Sequence, residues 1–446
     1  MKHIRTCLSL ASLAMVPIVW AAEPAQTPDL TPVKFLPLTS HAPVELVREG
    51  QPLAVVYVAD PKPSANLKLL VDELIEVVRL TSGASLEVAT NVPPADRPAI
   101  IIGDCEESRQ AGIVAPQIPL EGFVVKTAAN RVFLVGSTQV VPAGSDRWAP
   151  WFNDGSAWAV ADFLERFVGV RWYWPVVAGG RSVVKQATIR VPPTHYADQP
   201  VFRKREFYPW HGYDKNSWRS IWWDKAAPTL PPSVLPPGTE TIAMQPLLAG
   251  LRAGNSWPYV IKVHEPQSFM REWDKWSKQP DMFQREADGK PNLNMLCYSS
   301  PKALEYILKG CEDAWDHGKP ASWVTATCVT VSPGDYRVEC KCDACAPLFE
   351  PGRAPYGTAS KTVGLFVKRV CEEVKKRWPD KKVLYLPYWN YTECPVDMEF
   401  PGNLQVQMCT MAFGLMRQAV PRAHMEKQLH AWSQKVRGLV TTWEYS

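Results

Sequence analysis

Trp323–Cys345 reads WVTATCVTVSPGDYRVECKCDAC. The apolar, β-branched run from Val324 to Val331 stops at Ser332-Pro333-Gly334-Asp335, and three cysteines then follow in C-x-C-x2-C spacing. A short Thr/Val-rich run bounded by Pro-Gly predicts a buried strand. The SPGD tip then sets the carboxylate of Asp335 just past the strand's carboxyl end, which is where barrels and open α/β sheets carry their chemistry.

The strand has neighbours of the same kind. From Pro200 onward, strand-like runs recur at Phe202–Phe207, Pro258–Val263, Asn294–Tyr298, Val383–Pro387, Leu404–Cys409 and Gly438–Trp443. Pro301–Asp316 and Ala359–Trp378 between them have helical periodicity; in the second, Val363, Phe366, Val367, Val370, Cys371 and Val374 form one apolar stripe. Strands alternating with helices predict βα units on a parallel sheet, here a (β/α)8-type, TIM-like barrel over residues 200–446. The Pro-rich segment Ala226–Thr239 is expected to be a long loop. Seven strand runs precede Ser446, whereas a closed barrel needs eight, so the barrel is expected to be incomplete at the C-terminus and the chain a fragment of a longer one.

Upstream of residue 200 the rhythm differs. Leu53–Val58 predicts a strand, and Ser64 can cap a helix whose Leu67, Leu70, Val71, Leu74, Ile75 and Val78 share a face until Gly83. Ala99–Gly103 predicts a buried strand, and Phe123–Lys126 with Arg131–Val135 a hairpin turning at Ala129-Asn130. Asp154 or Ser156 can cap a second helix, Ala157–Phe167, before strands at Arg171–Pro175 and Thr188–Val191. This describes a small α/β sandwich over residues 45–195 with no nucleophile motif. Residues 22–44 are a Pro-rich arm. Residues 1–21 have the form of a secretory signal: Lys2, His3 and Arg5, the apolar run Cys7–Trp20, and an A-x-A-like site at Val19-Trp20-Ala21. The expected destination is periplasmic or extracellular, with no membrane span in the mature chain.

Two resemblances accompany this reading. GFVVKTAANRVFLVGSTQ and GSAWAVADFLERFVGVRWYWP resemble the N-terminal domain of bacterial α-glucuronidases and the accessory domain of β-hexosaminidases, non-catalytic modules that pack on a (β/α)8 barrel. PDMFQREADGKPNLNMLCYSSPKALEYI, VTVSPGDYRVECKCDAC and PDKKVLYLPYWNYTECP, with the terminal TTWEYS, resemble an uncharacterised bacterial domain of exported proteins. The group's usual His is Gln279 here, its Asn-Asp-Gly is Pro333-Gly334-Asp335, and its Trp-Asp-Tyr is Trp443-Glu444-Tyr445. Together they imply a glycoside-hydrolase-like fold and a carbohydrate partner.

Composition agrees with that partner. The formal charge is +4 with both signs interspersed, so nothing marks a nucleic-acid surface, while 19 Trp include many in loop segments, where an aromatic face suits a sugar ring. Glycoside hydrolysis needs two carboxyl groups, one protonated and one ionised. Asp335 and Glu444 follow predicted strands, and Glu393 lies in the loop after Tyr388-Trp389-Asn390. Trp389, Asn390, Tyr298, Trp257, Trp210, His211 and His264 are candidates for lining a sugar site, and Arg203, Arg205 or Arg219 for forking a uronate carboxylate. Cys340, Cys342 and Cys345 are a local disulfide such as Cys340–Cys345 with one free or distantly paired thiol, three ligands of a structural zinc, or reduced thiols; the disulfide is favoured because export permits it. A zinc would need a fourth ligand, with Cys328 on the same strand or a histidine as candidates. No catalytic cofactor is expected.

Overall fold

The computed structural model describes residues 33–139, 154–205, 240–255, 259, 278–410 and 417–443. Its N-terminal module is a seven-stranded mixed sheet. The strands are β1 (Lys34–Phe35), β2 (Val55–Val58), β3 (Glu87–Ala89), β4 (Ala99–Ile102), β5 (Phe123–Ala128), β6 (Arg131–Gly136) and β7 (His195–Asp198). They lie in the order β1-β7-β5-β6-β4-β2-β3. β3, β2, β4 and β6 run parallel, while β5 pairs antiparallel with β6 through the Ala129-Asn130 turn and with β7 on its other side.

Helix α1 (Ala65–Ser82) starts where Ser64 Oγ accepts from Leu67 N at 3.0 Å and stops at Gly83, left-handed at φ 84°. Both ends follow the sequence signals. Helix α2 (Gly155–Phe163) is capped by Asp154, whose Oδ1 accepts from the backbone N–H of Ser156 and Ala157. The two helices cover one sheet face with a core that includes Leu70, Leu74, Ile100, Leu134 and Trp158; Val55, Ile101, Phe133 and Val135 face a smaller cluster on the other side. Helix α3 (Glu240–Gly250) packs Leu247, Leu248 and Ala249 into the first of these cores. Thr188–Val191 does not extend the main sheet: Ile189–Val191 pairs with Val44–Arg48 in a separate small one.

The C-terminal half begins with an antiparallel hairpin, β8 (Phe283–Arg285) and β9 (Pro291–Leu296). Helix α4 (Pro301–Trp315) follows, capped by Ser300. Next come β10 (Cys328–Val331), α5 (Ser360–Arg377), β11 (Lys382–Tyr385), β12 (Leu404–Cys409), α6 (Ala419–Lys435) and β13 (Val440–Trp443). The strands β10-β11-β12-β13 form one all-parallel sheet in that order. The predicted stripe of α5 is buried in its core with Val329, Val331, Val383, Tyr385, Val406 and Met408. Alternation sends Thr330, Ser332, Gln405 and Gln407 to the opposite face, where they too are buried. A parallel sheet apolar towards its helices, with a mixed polar and apolar buried face opposite, suits the βα units that the alternation of strands and helices predicts.

Pro258–Val263 lies outside the described residues apart from Tyr259, and of Arg171–Pro175 only Arg171–Trp172 is a strand, paired with Arg181–Ser182. The structure departs from the sequence reading at three further strand runs. Asn294–Tyr298 contributes to the hairpin, not to the parallel sheet, because β8 lies only a short turn before it. Of Phe202–Phe207, Lys204–Arg205 pairs antiparallel with Gly254–Asn255. Val324 forms a bridge to Val329 across a tight turn, so the strand starts only at Cys328. Among the described residues no eight-stranded closed barrel is formed.

Candidate functional site

Parallel pairing aligns the carboxyl ends of β10 and β11, and the loops that leave them meet. After β10 the chain passes through the buried Ser332-Pro333-Gly334 to the exposed Asp335. After β11 it reaches Trp389, 43% exposed and held in left-handed backbone at φ 46°. The Trp389 indole N–H donates to Asp335 Oδ1 at 3.2 Å, and its ring meets Tyr388 edge-on at 5.6 Å. A bulky residue at positive φ costs about 1–3 kcal/mol, so the rest of the loop must impose it.

Asn390, the next residue, is the anchored one. The side chain is 1% exposed and fully engaged: Oδ1 accepts from Val338 N at 3.0 Å, and Nδ2 donates to Val338 O at 2.9 Å and Thr358 Oγ1 at 3.0 Å. Its own carbonyl accepts from Ala359 N at 2.8 Å. One amide thus ties the Trp389 loop to the Asp335 loop and to the start of α5. With both ends of its amide bonded to protein and the side chain buried, Asn390 positions the site and is withdrawn from any sugar hydroxyl.

Glu393 is held elsewhere in that loop. Its carboxylate pairs with Arg353 at 2.8 Å and lies 3.7 Å from His424 Nε2, and a Cβ on Gly357 would fall 2.4 Å from Glu393 Oε2. Glycine at 357 is what lets this ion pair close over the loop, and the carboxylate is committed to it. Tyr298, expected at the mouth, is 1% exposed and packs edge-on against Phe366 at 5.2 Å, a core residue instead. Arg205 forks Glu121 at 2.8 and 3.3 Å, so it holds the N-terminal module together. Glu339, exposed, pairs with Arg337. Glu444, Trp210, His211, Trp257, His264 and Arg219 lie outside the described residues.

Two residues past Val338 the chain enters a cysteine cluster. Cys340, Cys342 and Cys345 converge as their spacing suggests, on a turn in which Cys345 N and Ala346 N both donate to Cys342 O. The fourth member is Cys297, immediately after β9, and Cys328 is not in the group. Cys297 Sγ is 3.8 Å from Cys340 and Cys342 and 3.7 Å from Cys345. All four are free thiols, so the Cys340–Cys345 disulfide is not formed. Sulfur-to-sulfur hydrogen bonds from Cys297 and Cys345, helped by the backbone N–H of Arg285, hold Cys340 well below the usual thiol range, while the bonds of Cys297 to Cys340 and Cys345, with burial, push Cys297 up.

The family model described as "Domain of unknown function (DUF4838)" matches residues 178–446, and the chain belongs to that family. No curated protein matches. Among solved structures the chain is similar to a family GH115 4-O-methyl-α-glucuronidase with specificity for decorated arabinogalactans, at 13% identity and TM-score 0.44, covering 90% of this chain and 55% of that one. It is also similar to a β-N-acetylhexosaminidase from Bacteroides fragilis, at 11% identity and TM-score 0.34 over 89% of this chain and 71% of that one. A GH20 exo-β-N-acetylglucosaminidase from Vibrio harveyi matches at 13% identity and TM-score 0.36, over 92% and 59%. The chain therefore spans about half the length of the first of these enzymes. Among the described residues no helix is long and apolar enough to cross a membrane.

Proposed function

We propose that the chain is an exported carbohydrate-active protein of the glycoside-hydrolase type, binding a sugar over the Trp389 ring with Asp335 beside it. The observation that carries this reading is the Trp389–Asp335 contact itself: an exposed indole in strained backbone, beside a carboxylate with no ion pair among the described residues, at adjacent carboxyl ends of a parallel sheet. The indole face suits the C–H face of a pyranose. The contact spends one Asp335 oxygen on the indole and leaves the other for a hydroxyl or a proton. In hydrolysis Asp335 is one carboxyl group and Glu444, the residue after β13, is the other. That chemistry requires both to reach one glycosidic bond.

Non-catalytic glycan binding is the second reading. It is favoured by the sheet order, since β10 and β13 are three strand intervals apart, about 14 Å along the sheet, and by the commitment of Glu393 to Arg353. A panel of aryl-glycosides and polysaccharides, uronic-acid-bearing ones included, separates the two. Product release that disappears in Asp335→Asn and Glu444→Gln supports hydrolysis. Retention on a polysaccharide gel without release, lost in Trp389→Ala, supports binding alone. A chain that neither cleaves nor retains any glycan of the panel sinks both.

A further inference from the structure

We propose that Cys297, Cys340, Cys342 and Cys345 form a closed structural zinc site that clamps the β8–β9 hairpin to the loop carrying Asp335. This goes beyond the carbohydrate reading and stands or falls independently of it. The first argument is geometric. Zinc holds four thiolates tetrahedrally at about 2.3 Å, which sets neighbouring sulfurs about 3.8 Å apart. The three separations from Cys297 are 3.7, 3.8 and 3.8 Å, and all four sulfurs lie within 4.8 Å of one another. A disulfide needs about 2.0 Å and joins sulfurs in pairs, whereas here Cys297 approaches all three of the others.

The second argument is the surroundings. Arg285 N–H donates to Cys340 Sγ at 3.3 Å, and Ser299 Oγ lies 3.1 Å from Cys345 Sγ. Such bonds to sulfur orient and stabilise thiolates around a metal. The supporting frame is rigid: Lys341 N donates to Arg285 O at 2.8 Å, and Cys297 N to Met282 O at 2.8 Å. Cys297, Cys340 and Cys345 are buried and Cys342 is partly so; four thiols without a metal would leave sulfur protons competing for sulfur acceptors there. Four sulfur ligands leave no open position, so the role is structural. Its consequence is positional: the cluster fixes the chain at Cys340 and Asn390 fixes it at Val338, so the segment that follows Asp335 is anchored twice within five residues.

The experiment is elemental analysis of the purified full chain after passage through chelator-treated buffer, with about one zinc per chain expected. Cys297→Ser and Cys342→Ser are expected to lose nearly all of it, while Cys328→Ser, outside the cluster, keeps it. Because the ligand variants can also lose their fold, the wild-type chain gives a second readout. Mercurial titration should release zinc in step with four thiols, and replacement by Co(II) should produce the visible bands of a tetrahedral thiolate centre. A chain that holds no zinc while its four thiols alkylate freely overturns the proposal. So does a peptide map showing a disulfide among the four cysteines, and so does stoichiometric iron in place of zinc.

Discussion

The two halves of the molecule hold their loops and termini by different chemistry. In the N-terminal module, buried acids meet guanidinium groups. Glu73 takes Arg181 at 2.6 Å and the Trp172 indole at 2.9 Å, Glu121 takes the Arg205 fork, and Asp162 accepts from Arg166 and from the Tyr196 hydroxyl at 2.6 Å. Burial, with Asp162 next to it, pushes the Tyr196 phenol far up, so it stays a donor. Around Asp335 the nearest joint is an uncharged amide on backbone at Asn390, with the knot of sulfur at Cys297, Cys340, Cys342 and Cys345 beyond it; the Glu393–Arg353 pair lies farther along the β11 loop. Buried charge is neutralised where the module is only a scaffold. It is left available on Asp335, whose loop the Asn390 amide holds open to solvent.

That contrast can be broken most severely at Glu73. Glu73→Ala strands the Trp172 indole and leaves Arg181 with Glu76 alone, at 3.6 Å, and the expected loss is about 3 kcal/mol in urea unfolding. A loss below about 1 kcal/mol would mean that the buried pair does not carry the module. The uncharged joint should be weaker but more local. Asn390→Ala leaves Val338 N and O without partners, with an expected cost of about 2–3 kcal/mol and faster tryptic cleavage at Arg337 and Lys341. Unchanged cleavage there would show that the sulfur cluster alone fixes the loop. The smallest and most telling effect is at Trp389. Trp389→Gly relieves the positive φ and is expected to leave stability between unchanged and about 1 kcal/mol higher, while glycan retention is lost. A variant that is markedly less stable would make Trp389 a packing residue.

Much of the scaffold was legible because its signals are local. Ser64 and Gly83 bound α1, Asp154 caps α2, and the stripe from Val363 to Val374 lies on the buried face of α5, each set by residues within one or two turns. The hairpin at Ala129 and the strands at Ala99, Val383 and Leu404 follow for the same reason. The edge strand Lys34–Phe35 and its neighbour His195–Asp198 were not legible. Such short runs carry too few alternations to announce themselves; His195–Asp198 forms on the free side of β5, and Lys34–Phe35 forms on His195–Asp198 in turn.

At the site the division is sharper. The sequence by itself determined that an acid follows a buried strand at Asp335, that an aromatic loop follows the next at Trp389, and that three cysteines share one turn, since each needs only a few consecutive residues. Which residues meet was decided by tertiary structure. Adjacent parallel strands bring Trp389 to Asp335 across 54 residues. Packing withdraws Tyr298 and Asn390 from solvent although both are polar enough to bind a sugar. The fourth sulfur comes from Cys297, 43 residues upstream of Cys340, in place of Cys328. Cys328 sits on the sheet face with Leu384, and alternation along a strand fixes that direction whatever its distance in sequence from the other three.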